Sequence, residues 1–224
     1  MAAGSGLISM NLFRSNVRRP STSQISASVA VGRSPDILWK WREADVELAL
    51  WHRSWDPQLV QALDALPVAA LPRFRIVGTP EVIPLSVRQQ VSGLDESPVL
   101  AALVSDIEAL TAHFANVTGS EEIAVRLDVI DHDACSLFHR DRAYARLLTT
   151  YLGPGTIWVP PGCEAQALKD QQTYSGPVHE MSRFAVGMFR GSLLAPGGLV
   201  HRSPRLSGSG RSRLLLCLNA TRAP

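Results

Sequence analysis

The stretch LFHRD, residues 137–141, sets His139 and Asp141 two positions apart, just before the apolar run YARLLTTYL. On an extended strand, residues i and i+2 share a face. An imidazole and a carboxylate pointing together are half of a metal site, or an ordinary polar pair at a strand end. The spacing alone decides little, since chance supplies roughly 0.3 His-x-Asp pairs in a chain of this composition. Weight comes from downstream. His201, in GGLVHRSP, follows 62 residues later (201 − 139), then the glycine–serine turn RLSGSG, then RSRLLLCLN, an apolar run entered through Arg211 and Arg213. Cys135 precedes His139 by four positions. Cys135, His139, Asp141 and His201 together form a sulfur, nitrogen and oxygen set that suits zinc. Three ligands with an open position would make the site catalytic, and four would make it structural or metal-storing.

These residues need elements to hold them. Residues 44–55 alternate loosely and predict a strand. Asp56 and Pro57 then open a short helix that Pro67 stops. Ser97, Pro98 and the periodic Val99, Leu100, Leu103, Val104, Ile107 and Leu110 predict a helix ending at Gly119. Residues 72–96 are rich in proline and glycine and receive no assignment. From 122 onward, EIAVRLDVID, YARLLTTYL, GTIWVP, RFAVGMF, SLLAP, GLVHRSP and RSRLLLCLN are short runs punctuated by Gly, Pro and Ser. Runs of that length predict a sandwich or small barrel. The expectation is an α+β fold, a helical N-terminal layer (36–121) against a C-terminal β-barrel (122–219), in one domain spanning 36–224.

The order His-x-Asp, distant His, then an arginine opening the last strand resembles the non-haem iron, 2-oxoglutarate-dependent dioxygenases. FAVGMFRGSLLAPGGLVHRSP is similar to the strand–turn–strand that carries the distal histidine in their prolyl-hydroxylase-like members. CSLFHRD, RLLTTYLGPGTIW, VHRSP and RLLLCLN further resemble the bacterial domain-of-unknown-function family eighteen twenty-six, across most of the chain after residue 36. The dioxygenase resemblance implies a double-stranded β-helix, the jelly-roll or cupin-like barrel. It implies Fe(II) held by His139, Asp141 and His201, with three positions left for 2-oxoglutarate and O2. It also implies a buried guanidinium for the far carboxylate of that cosubstrate. Arg211 and Arg213 share strand parity; Arg213 directly precedes the apolar run and is expected to sit deeper. Tyr151, at the far end of the strand after His139 and Asp141, is a further donor to the cosubstrate. On the same likeness the activity is oxidative decarboxylation of 2-oxoglutarate coupled to hydroxylation of another substrate. The alternative is a zinc-binding or zinc-handling module without enzymatic activity.

Other residues are weaker candidates. His132, between Asp131 and Asp133, reads as the turn before the metal strand or as a group orienting a liganding imidazole. His113 reads as a surface or boundary residue of the long helix. His52 and His179 have no evident partner. Trp39, Trp41, Trp51 and Trp55 read as packing of the N-terminal layer, with a ligand platform as the alternative. GxSxG, P-loop and GxGxxG motifs are absent, so neither a serine hydrolase nor a nucleotide-binding enzyme is supported. The substrate is not readable; its specificity is expected in the loops 160–183 and 72–96.

Composition sets the outer limits. The chain has 224 residues, 46% hydrophobic and 19% charged, with a formal net charge of +2. It can bury a core and gives no electrostatic case for nucleic acid. No run approaches 18 consecutive apolar residues, so no membrane-spanning helix is expected. Three cysteines without a CxxC pair point to a reducing compartment. Residues 1–35 are Ser-rich and basic, with no acid before Asp36. They are expected to be a disordered leader on a cytoplasmic protein, with an organelle transit peptide as the alternative.

Overall fold

The computed structural model describes residues 28–94, 97–194 and 197–221. In chain order come β1 (Val29–Gly32), a 3-10 helix (Pro35–Arg42), β2 (Leu48–Trp51), α1 (Pro57–Ala65), β3 (Phe74–Gly78), α2 (Ile83–Val91) and α3 (Pro98–Thr118). Then follow β4 (Ile123–Ile130), β5 (Ala145–Leu152), β6 (Ile157–Trp158), α4 (Glu164–Asp170), β7 (His179–Glu180), β8 (Val186–Arg190), β9 (His201–Arg202) and β10 (Arg213–Ala220).

Seven strands form one sheet in the order β1-β2-β8-β5-β10-β4-β3. Its pairs are antiparallel except β1 with β2. Strand alternation divides its two faces. On β10, Leu214, Leu216 and Leu218 join the large core with α3, whereas Leu215 and Cys217 face the other way. On β5, Leu147 and Tyr151 join that core, and Leu148 faces opposite. The second face looks toward a smaller sheet, β7-β6-β9. The fold is therefore a mixed α and β arrangement, with a large sheet covered by helices on one face and by a small sheet on the other.

The helix signals worked as read. The Asp56 side chain accepts from Gln58 N at 2.7 Å, and Ser97 Oγ accepts from Leu100 N at 3.3 Å. Gly119 ends α3 with φ +69°, a left-handed conformation in which a Cβ is costly. The 21-residue α3 is long and apolar enough to cross a membrane by length and composition alone. Nine of its residues are buried, however, among them Leu103, Ile107 and Phe114, as expected of a core helix.

Three readings need correction. The N-terminal half is not only a helical layer, since it supplies β1, β2 and β3 to the large sheet. Within the unassigned 72–96, β3 alternates buried Phe74, exposed Arg75, half-buried Ile76 and exposed Val77, a period of two. Nor does the basic leader run to residue 35. Val29 is buried, and residues 29–32 pair with β2 as an edge strand whose backbone Leu48–Trp51 satisfies. The remainder of that segment, 1–27, lies outside the described residues. SLLAP adds no strand in its described part, forming a turn closed by Leu194 N on Gly191 O.

Candidate metal and anion site

Main-chain bonds bring the two histidines together. His139 N donates to His201 O at 2.9 Å and His201 N donates to His139 O at 3.0 Å, an antiparallel bridge that continues the small sheet beyond β9. Residues directly opposed in such a pair project to the same face. The imidazole centroids lie 4.6 Å apart, and Phe189 packs against His201 at 4.9 Å. Asp141 follows in the loop before β5 and is not itself on a strand.

The tautomers are set locally. His139 Nδ1 lies 2.9 Å from Leu137 O, and His201 Nδ1 lies 3.0 Å from Leu199 O. A carbonyl only accepts, so each Nδ1 carries hydrogen, and in the neutral ring each Nε2 presents its lone pair. Those Nε2 atoms stand 3.6 Å and 3.3 Å from the two oxygens of Asp141. One ligand atom from each of the three residues lies within 4.8 Å of the others.

Arg146, on β5, was not foreseen. Its guanidinium contacts Asp141 Oδ1, and its Nε donates to Asn219 Oδ1 at 2.7 Å. Asp141 Oδ2 is buried and has no hydrogen-bond partner among the described residues. Burial opposes ionisation of Asp141. The imidazoles of His139 and His201 and the charge of Arg146 outweigh it, holding the carboxyl far below the usual range. His139 is raised, chiefly by its contact with Asp141, against its own burial. A buried carboxylate oxygen without a hydrogen-bond partner, with two imidazole nitrogens facing its carboxylate, is a poor design for a dry core and a good one for a cation. The donor set of two imidazoles and one carboxylate oxygen suits a divalent iron-type ion with open positions.

Arg213 is the largest fully buried side chain and opens β10 on the face toward the small sheet. Its Nη2 donates to Thr150 Oγ1 (2.9 Å) and Thr156 Oγ1 (2.6 Å), its Nε to Thr150 Oγ1 (3.2 Å), and its Nη1 to Ser203 Oγ (3.2 Å). These partners are hydroxyls. No carboxylate lies within ion-pair distance among the described residues. Burial pulls its pKa down to about 10, and the more distant Glu180 only partly offsets this. A guanidinium buried among neutral groups is built to receive an anion.

Of the other candidates, Arg211 is exposed. Tyr151 is fully buried but faces α3, where its hydroxyl donates to Asp106 Oδ2 at 2.6 Å beside Arg53. Thr150, its neighbour, takes the site-facing position, as alternation requires. Cys135 lies outside the converging group, exposed and with φ +53°, its carbonyl accepting from Ser203 N. The four-ligand zinc set thereby loses its sulfur. His132 is exposed and Asp133 accepts from Leu206 N and Ser207 N, closing a turn as expected. His113 meets Trp51 edge-on, while His179 stacks on Trp158 at 4.3 Å. Trp41 and Trp55 pack in or against the main core, and Trp39 is exposed.

Residues 32–219 match the family model described as protein of unknown function (DUF1826), and the chain belongs to that family. No curated protein sequence matches it. Among solved structures it is similar to dioxygenase for auxin oxidation 1 from Arabidopsis thaliana, in a binary complex with 2-oxoglutarate. The TM-score is 0.51 at 10% identity, covering 89% of this chain and 93% of that one. The rice dioxygenase for auxin oxidation gives 0.47 at 13%, covering 88% and 84%. A Pseudomonas putida prolyl-4-hydroxylase gives 0.40 at 12%, covering 85% and 94%. The Arabidopsis match establishes a shared fold. The Arabidopsis protein is a dioxygenase solved with 2-oxoglutarate.

Proposed function

We propose that the chain is an Fe(II)- and 2-oxoglutarate-dependent oxygenase on a double-stranded β-helix, with the large and small sheets as its two walls. The observation that carries this reading is the Asp141 carboxylate, whose Oδ2 is buried without a hydrogen-bond partner 3.3 Å from His201 Nε2, while its Oδ1 lies 3.6 Å from His139 Nε2. His139 Nε2, His201 Nε2 and Asp141 Oδ2 would hold the metal, while Arg146 binds Oδ1 and orients the carboxylate. Arg213 would take the far carboxylate of 2-oxoglutarate, with Thr150, Thr156 and Ser203 orienting the guanidinium. The Leu137 and Leu199 carbonyls fix both rings, so the ligands are preorganised before metal arrives. Once bound, iron with 2-oxoglutarate and O2 supplies decarboxylation to succinate and CO2, with one oxygen atom inserted into a substrate C–H bond. Leu148, Phe189, Leu199, Leu215 and Cys217 line the space between the sheets and exclude water from it.

The test is purified protein with Fe(II), ascorbate and 2-oxoglutarate, assayed for succinate. Slow succinate formation without further substrate, abolished in His139→Ala, is expected. Wild-type protein that neither binds 2-oxoglutarate nor develops a metal–cosubstrate absorption band under anaerobic conditions overturns the reading.

A further inference from the structure

Strand β6 is only two residues long, yet it joins the two halves of the site. Trp158 is paired directly with His201 on one side and with His179 on the other. Opposed residues share a face, so the indole points with the His201 ring into the space between the sheets. It packs there with Leu148, Leu199, Leu215 and Cys217. Two positions earlier, Thr156 accepts the hydrogen bond of Arg213 at 2.6 Å. One side of a short segment therefore runs from the guanidinium to the metal ligands.

The indole nitrogen is the unexplained atom on this path. Trp158 is 7% exposed, and its Nε1–H is sealed from solvent without an acceptor among the described residues. Tryptophan has one polar hydrogen, and a buried indole normally places it on an oxygen. An orphan donor here lacks an acceptor that a ligand can bring.

We infer that Trp158 Nε1–H is a hydrogen-bond donor to the carboxylate or keto oxygen at the metal-binding end of a 2-oxo dicarboxylate, an inference that rests on the proposed oxygenase reading. Positions i and i+2 of a strand lie about 7 Å apart. A five-carbon diacid spans about 5 Å between its carboxyl carbons. With one end on Arg213 at Thr156, its other end comes level with Trp158 and His201. The spacing selects for chain length, and a diacid one carbon shorter cannot satisfy both ends. Trp158 is thus a positioning donor for the cosubstrate and takes no part in holding the metal.

The experiment titrates 2-oxoglutarate into anaerobic Fe(II)-loaded wild type and Trp158→Phe, following the metal–cosubstrate absorption band. In parallel, the indole N–H resonances of Zn(II)-substituted wild type are followed by NMR on addition of 2-oxoglutarate. The expected result is a Kd raised about tenfold in Trp158→Phe, the size of one charge-assisted hydrogen bond. Fe(II) affinity should stay unchanged, and one wild-type indole resonance should move downfield. Wild type that binds 2-oxoglutarate while Trp158→Phe binds it equally well overturns this inference and leaves the oxygenase reading intact. Wild type that fails to bind 2-oxoglutarate overturns both. Should Trp158→Phe not fold, the wild-type spectrum decides: indole resonances unmoved at saturation overturn the inference.

Discussion

Replacing Arg213 by methionine separates a residue that stabilises the fold from one held in reserve for a ligand. Burial away from any carboxylate takes the guanidinium from 12.5 down to about 10. That penalises its charged form by roughly 3 kcal/mol. The folded value lies below the unfolded one, so the penalty is present in full below about pH 10 and is relieved only as pH rises toward 12.5. The hydroxyls of Thr150, Thr156 and Ser203 offset part of it. Removing one partner of a buried, paired charge costs about 3–5 kcal/mol. Arg213 has no charged partner among the described residues, so Arg213→Met should change stability without 2-oxoglutarate by less than about 2 kcal/mol, in either direction. The second half of the comparison concerns ligand. At a hundredfold excess over Kd, 2-oxoglutarate should stabilise wild type by about 2.7 kcal/mol. For a domain of this size that is a rise in Tm of roughly 5–10 °C. Thermal unfolding with and without 2-oxoglutarate, in the presence of Fe(II) under argon, measures both quantities. The increment should vanish in Arg213→Met. A variant that loses 3 kcal/mol or more without ligand, yet keeps the full ligand increment, refutes the assignment of Arg213 to an anion.

Arg146→Gln should weaken Fe(II) binding by about 10–100-fold, because Asp141 Oδ1 loses the cation that orients it; anaerobic metal titration reads this directly. Tyr151→Phe should leave the Kd for 2-oxoglutarate unchanged and cost about 1 kcal/mol in denaturant unfolding, since its hydroxyl serves Asp106 on the opposite face. Asp133 is held below its ordinary range by the Ser207 and Leu206 amides. Its contribution is therefore present above pH 3.8 and lost as pH falls through the lower folded value. Hydrogen exchange at Leu206 and Ser207 should accelerate in Asp133→Ala at neutral pH, and unchanged protection there would show that the turn is held otherwise.

The converging residues themselves were legible because their chemistry is local: His-x-Asp, a late histidine, and an arginine before an apolar run. Arg213 was separable from Arg211 by its neighbour Leu214, which marks where the chain enters the core. Other residues were hidden by reasons of geometry. Tyr151 looked like a cosubstrate donor until strand parity was counted from Thr150, since one step along a strand reverses the face. Arg146 lies five positions beyond Asp141, and only the loop between them folds it back onto the carboxylate. The polar partners Thr156 and Ser203 stand on separate segments, joined by pairing that no linear pattern announces. The long helix was readable from Ser97, Pro98 and Gly119 because capping is a local event. β1 and β3 were missed because four- and five-residue edge strands carry too short a period to stand out beside prolines and glycines.

The reciprocal peptide bonds between His139 and His201 have a bearing on when this centre comes into being. The two rings belong to segments 62 residues apart (201 − 139), so their proximity costs loop entropy that only the surrounding sheets repay. A nascent chain must emerge past residue 201 and close that loop before the trio exists. On the proposed reading, cation capture is thereby deferred until the two sheets have met, and an incomplete polypeptide offers a metal ion nothing better than a solitary histidine and its neighbouring carboxylate.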